Sequence, residues 1–74
     1  MEQELYTIYD KLAESSGTPF TQPNEAVAIR SLLSLLQDRP PFDHENYQLF
    51  KLGSYNPRTM EHKLHTPIEI QFQG

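Results

Sequence analysis

One stretch of this chain carries a clear helical period, and strand and turn signals flank it on both sides. Pro23 opens it, since a proline in the first helical turn gives up an N–H that would have no partner anyway. Asn24 or Gln22 is the candidate N-cap, and Glu25 suits the positive end of the helix dipole. Ala26, Ile29, Leu33 and Leu36 recur at helical spacing, Leu32 falls within the same face, and Ala28 and Leu35 widen it. Arg30, Ser31, Ser34 and Gln37 take the opposite side. Asp38-Arg39-Pro40-Pro41 stops the helix, because a residue before proline is pushed out of the α region. A single amphipathic helix must bury its stripe against something. With no second helix, that partner is a sheet, and the expected class is α+β: one helix on a small antiparallel sheet.

The strands come from alternation. Leu5 to Asp10 places Tyr6 and Ile8 on one side and Leu5, Thr7 and Tyr9 on the other. A helix over Glu2–Glu14 is the rival reading, and the β-branched and aromatic residues in the middle decide against it. Ser15 to Pro19 reads as a turn, and Pro19-Phe20-Thr21 as a short edge strand. After a polar loop, Phe42 to Asn46, a strand runs from Tyr47 to Tyr55. Gln48, Phe50, Leu52 and Ser54 lie on one face, with Phe50 assigned to the core, and Tyr47, Leu49, Lys51, Gly53 and Tyr55 on the other. Asn56-Pro57-Arg58-Thr59 is a turn that returns the chain as a strand over Met60–His65. Thr66-Pro67 breaks it, and Ile68, Ile70 and Phe72 then alternate with Glu69, Gln71 and Gln73. The expected order is β-β-α-β-β-β in one domain spanning residues 1–74.

Size and charge narrow the function. A chain of 74 residues with no cysteine has neither a disulfide nor a thiolate metal site to reinforce its core. Oligomerisation is the remaining source of extra stability, and a homo-dimer is expected. Its interface would use Leu35 at the rim of the wide helical stripe and Ile68, Ile70 and Phe72 on the last strand. The longest apolar cluster, Leu32 to Leu36, is far short of the ~20 residues of a membrane span, and the acidic Met1-Glu2-Gln3-Glu4 has no apolar run behind it. No membrane contact is expected, and the expected location is the cytosol. Six basic residues stand against ten acidic ones, for a net charge of -4, which argues against non-specific duplex binding. Single-strand binding, which leans on aromatic stacking, is penalised less.

Little in the chain points to catalysis or metal. Ser15 and Ser16 have no nucleophile elbow around them, and the three glycines form no phosphate cradle. No enzymatic activity, catalytic residue or cofactor is expected. His62 and His65, three apart on a strand, point to opposite faces, and Asp43-His44-Glu45 completes no tetrahedral set. The arrangement with nucleic-acid chemistry in it is Tyr47, Lys51 and Tyr55 on one strand face. Two aromatic rings with an ammonium between them make a stacking platform that also meets a phosphate, extended by Tyr9 on a neighbouring strand and by Arg58 in the turn.

Three strings in this order also resemble a known family. Leu5-Tyr6-Thr7-Ile8-Tyr9-Asp10, then Pro19-Phe20 with Asn24 to Arg30, then Tyr47-Gln48-Leu49-Phe50-Lys51-Leu52-Gly53 look like the small nonstructural protein of gokushovirus-type microviruses, phages with circular single-stranded DNA. The match covers about residues 4–55; beyond it the family tends to be acidic, whereas this chain carries Arg58, His62, Lys63 and His65. The resemblance implies a protein made in the host cytoplasm and absent from the finished virion. It further implies a role in viral single-stranded DNA synthesis or its coupling to packaging, through contact with that DNA. The competing expectation is an interaction module that binds a phage or host replication protein and touches no DNA.

Overall fold

The computed structural model describes residues 2–72. Strand β1 (Gln3–Asp10) is followed by two short strands, β2 (Ser15–Ser16) and β3 (Phe20–Gln22), then helix α1 (Glu25–Gln37). A 3-10 helix over Pro41–Asn46 leads into β4 (Tyr47–Tyr55) and β5 (His62–Glu69). The sheet is antiparallel in the order β2-β1-β4-β5, with β3 pairing β1 on the same edge as β2. The class is α+β, one helix on a curled sheet.

Helix α1 starts where its cap dictates. The Asn24 carboxamide oxygen accepts the Val27 N–H at 3.0 Å, satisfying one of the orphan donors of the first turn. The buried stripe is Ala28, Leu32 and Leu36, all within the face that the spacing suggested; Ile29 and Leu33 pack at its margin and Ala26 is exposed. The stripe closes on Tyr6, Leu49 and Ile70 to form the core, with Ile8, Phe20, Leu35, Tyr47 and Phe72 packed around it. Burying Leu32 and Leu49 completely is worth about 1.5–3 kcal/mol each.

Three expectations need correction. The Met60–His65 and Ile68–Phe72 strands are in fact one strand, β5, which carries Pro67 within it, as an edge position permits. Residues 70–72 follow β5 without strand structure, and the Ile70 N–H donates to the Leu49 carbonyl at 2.8 Å, seating Ile70 in the core; Gln73 lies outside the described residues. The Phe42–Asn46 loop belongs to a 3-10 helix, started by Pro41, whose fixed φ suits a first turn. Finally, the core side of β4 is the Leu49 side. Leu49 pairs with Ile8 and is fully buried, whereas Phe50 pairs with Thr7 and is half-buried on the other face.

Candidate functional site

Alternation along β1 places Glu4, Tyr6 and Ile8 under the helix and Gln3, Leu5, Thr7 and Tyr9 on the opposite face, which no helix covers. The cross-strand register transfers that division to β4. Tyr47, Leu49 and Lys51 face the helix side, while Gln48 and Phe50 face the open side. Between Lys51 and Gly53 the register slips. Tyr6 pairs with Lys51 and its neighbour Leu5 with Gly53, so β4 spends one extra residue, Leu52, on a bulge. Beyond it the parity of β4 reverses. Ser54 now pairs with Glu4 on the helix side, and Tyr55 pairs with Gln3 on the open side.

The bulge therefore dismantles the platform read from the sequence. Tyr47 and Lys51 share the helix side, Tyr55 and Tyr9 share the open side, and Arg58 lies exposed in the turn beyond Tyr55. The inner pair is also occupied. The Lys51 ammonium donates to Glu4 Oε2 at 2.6 Å, and the hydroxyl of Tyr6 donates to Glu4 Oε1 at 2.7 Å. The Lys51 hydrogen bond, followed by that from Tyr6, holds the Glu4 carboxyl below its ordinary pKa of 4.5, against the opposing effect of burial. Burial, reinforced by Glu4, pushes the Tyr6 phenol well above its ordinary range. Tyr47 carries the Arg39 guanidinium 5.8 Å above its ring centroid. Its hydroxyl faces Asp43 Oδ2 at 3.4 Å.

On the open face a different aromatic group forms. The rings of Tyr9 and Phe50, on adjacent central strands, meet edge to face with centroids 6.3 Å apart. They wall a groove of about 370 Å³ together with Leu52, Pro19 and Pro67. Thr7, Ser16 and Gln48 supply its polar atoms. The Thr7 hydroxyl is already donated to the Gly17 carbonyl at 3.0 Å, and Gln48 Nε2 donates to Glu69 Oε2 at 3.0 Å. Tyr55 continues the row on the same face, five residues or roughly 15 Å along β4 from Phe50. Lys11 follows the Tyr9 end of the row and Arg58 lies past the Tyr55 end, both exposed. Sequence reading missed Phe50, Leu52, Pro19 and Pro67. The available signal was Gly53, because an isolated glycine inside a strand pattern marks a bulge and hence a change of face.

The residues expected at an oligomer interface are distributed unevenly. Ile70 is in the core, Leu35 and Phe72 pack against it, and Ile68 is 54% exposed. The histidines are turned to backbone oxygens: His44 to Arg39, His62 to Met60 and His65 to Thr66, at 2.8–3.2 Å. Among the described residues no group of three or more His, Cys, Asp or Glu is placed to hold a metal ion. No helix among them is long and apolar enough to cross a membrane.

The chain matches the family model described as "Phage ORF5 protein" over residues 3–72, which takes in every strand and the helix. It belongs to the Phage ORF5 protein family. No curated protein and no solved structure matches it significantly. Membership makes it a bacteriophage protein, and both faces of the sheet lie inside the segment that defines the Phage ORF5 protein family.

Proposed function

We propose that this phage protein is a non-enzymatic accessory factor that holds viral single-stranded DNA on the open face of its sheet, during DNA synthesis or its coupling to packaging. The observation that carries the proposal is the uncovered row Tyr9–Phe50–Tyr55, with Tyr9 and Phe50 in edge-to-face contact on the two central strands. Base–aromatic stacking tolerates any sequence and needs few cations, which suits a chain of net charge -4. Lys11 and Arg58, at opposite ends of the row, would meet the backbone that the bases leave behind. The gokushovirus-type reading belongs to the same proposal: a nonstructural protein of the host cytoplasm, absent from the virion.

A second reading rests on the chemistry of the groove. Among the described residues its lining carries no ionised side chain, so the same face suits an apolar segment of a phage or host replication protein. Fluorescence anisotropy with labelled single-stranded oligonucleotides separates the two. DNA binding predicts a Kd below about 100 μM at ~50 mM salt. Tyr9→Ala or Phe50→Ala should each weaken it by about 1–3 kcal/mol. Arg58→Ala should lower the salt slope by about 0.7, and Lys51→Ala should leave the slope unchanged. Absence of binding under these conditions favours the interaction module.

A further inference from the structure

We propose that His62 is a phosphate-binding residue of the open face, and that it joins Arg58 on the DNA backbone only when its ring is an imidazolium. The inference rests on the strand-binding reading and deepens it, since stacking on Tyr9, Phe50 and Tyr55 asks for no titrating group. The register puts His62 directly across from Tyr55, so the two side chains share the open face. At the adjoining position the Asn56 N–H donates to the Glu61 carbonyl at 2.8 Å. Tyr55 and His62 are therefore a non-hydrogen-bonded pair, the kind whose Cα atoms approach to about 4.5 Å. The turn that joins their strands carries Arg58, whose N–H donates to Asn56 Oδ1 at 2.9 Å. A cation at His62 thus stands beside the last ring of the row.

The ring is already oriented for this role. His62 Nδ1 lies 3.2 Å from the Met60 carbonyl oxygen. A carbonyl oxygen can only accept, so Nδ1 holds the proton and Nε2 is the nitrogen left over. In the neutral ring Nε2 presents a lone pair, which repels a phosphate oxygen. In the imidazolium it presents an N–H, and the contact becomes a charge-assisted hydrogen bond. The groups around the ring are Tyr55 across the ladder, Arg58 in the turn, and Glu2, Glu61 and Lys63, which line a shallow depression with it. Among the described residues no carboxylate oxygen comes within 4.0 Å of its nitrogens, so the charge is not taken up in an ion pair. His65 is the internal contrast: alternation turns it to the other face, with Nδ1 2.8 Å from the Thr66 carbonyl oxygen.

The test is fluorescence anisotropy of a labelled oligothymidylate with the full-length protein at pH 8 and pH 5.5, because thymine does not titrate between these values and an imidazole does. Binding should tighten about 3- to 10-fold at pH 5.5, as one added phosphate contact at ~50 mM salt requires, and the salt slope should rise from about 1.4 to about 2.1. His62→Gln should abolish both changes and His65→Gln should keep them. His62→Lys should bind at pH 8 as the parent does at pH 5.5. Equal affinity at the two pH values in the parent, or a pH response that survives His62→Gln, refutes the role of His62 and leaves strand binding in place. An oligonucleotide that binds at neither pH removes strand binding and this inference together.

Discussion

Replacing Gly53 with alanine tests the bulge on which the site depends. Gly53 has a φ of +157°, and a Cβ built there would collide with the Lys63 carbonyl oxygen of β5. It would also lie 2.9 Å from the Lys63 carbonyl carbon and 3.0 Å from the Leu64 Cα. All three atoms are backbone, so no rotamer change relieves the clash and β5 has to move away. The pairs then lost are Gly53–Leu64, Ser54–Lys63 and Tyr55–His62. At about 0.2–1 kcal/mol for each cross-strand pair, the loss is roughly 1–3 kcal/mol, a large part of the stability of so small a domain. Urea denaturation should show the lower midpoint. Hydrogen exchange should show protection lost at Ser54 and Lys63 and retained at Thr7 and Leu49, because only the far half of the hairpin detaches. Gly17→Ala is the control, since a Cβ there meets nothing closer than the Ile8 carbonyl oxygen at 3.9 Å. A Gly53→Ala protein as stable as the parent would refute the close approach and the parity change built on it.

The remaining predictions concern faces, protons and edges. Leu49→Ala should cost about 2–5 kcal/mol in thermal or urea unfolding, while Phe50→Ala should cost less than Leu49→Ala and weaken oligonucleotide binding instead; the reverse order would invert the sheet. Glu4 has a lowered pKa in the folded protein, so its contribution to stability is present above pH 4.5 and fades as the pH falls below that value; Glu4→Gln should flatten this part of the acid limb. Tyr6 has a raised pKa, so its contribution is intact below pH 10 and is lost as the pH rises beyond it; Tyr6→Phe should flatten the alkaline limb in circular-dichroism melts. The outer edge of β5 is unpaired among the described residues, and the strand carries Leu64 and Ile68, 66% and 54% exposed. Sedimentation equilibrium at about 100 μM is therefore expected to show a dimer that Ile68→Lys dissociates, and a single 8.6 kDa species in the parent protein would refute it.

The elements were legible in the sequence because they rest on local chemistry. Asn24, one of the two cap candidates, caps the helix, Pro40 follows its end, and the alternation of Tyr6 and Ile8 against Thr7 and Tyr9 survives intact in β1, whereas Pro23 precedes the cap and is not in the first turn. The face of β4 was not legible, because periodicity offers two equivalent faces and names neither. Tyr47, Leu49 and Lys51 alternate as regularly as Gln48 and Phe50, and the choice between them falls to the partner strand: Leu49 pairs with Ile8 beneath the helix, and Phe50 does not. The end of the chain misled for a related reason. Ile68, Ile70 and Phe72 look like one strand face, yet Ile68 pairs with Lys51 in β5 while Ile70 turns into the core past the strand's end. Alternation along a chain registers spacing, and it cannot register where a hydrogen-bond ladder stops.

Charge and geometry together explain how an acidic chain could carry a DNA site without a basic stripe. Lys51 lies ahead of the parity change and pairs with Tyr6 on the helix side, where Glu4 compensates its charge and also accepts the buried Tyr6 hydroxyl. Had β4 remained regular, Tyr55 would have stayed on the side of Lys51, and the open face would have kept Tyr9 and Phe50 alone. The extra residue instead carries Tyr55 across to them and leaves the exposed cations Lys11 and Arg58 near the two ends of the row. On such a surface affinity comes from ring contact and only modestly from counterion release. For two phosphate contacts on single-stranded DNA the logarithm of the binding constant should fall by only about 1.4 per decade of salt. A slope several-fold steeper would mean that cations outside this row hold the strand, and the open face would then lose its claim to the site.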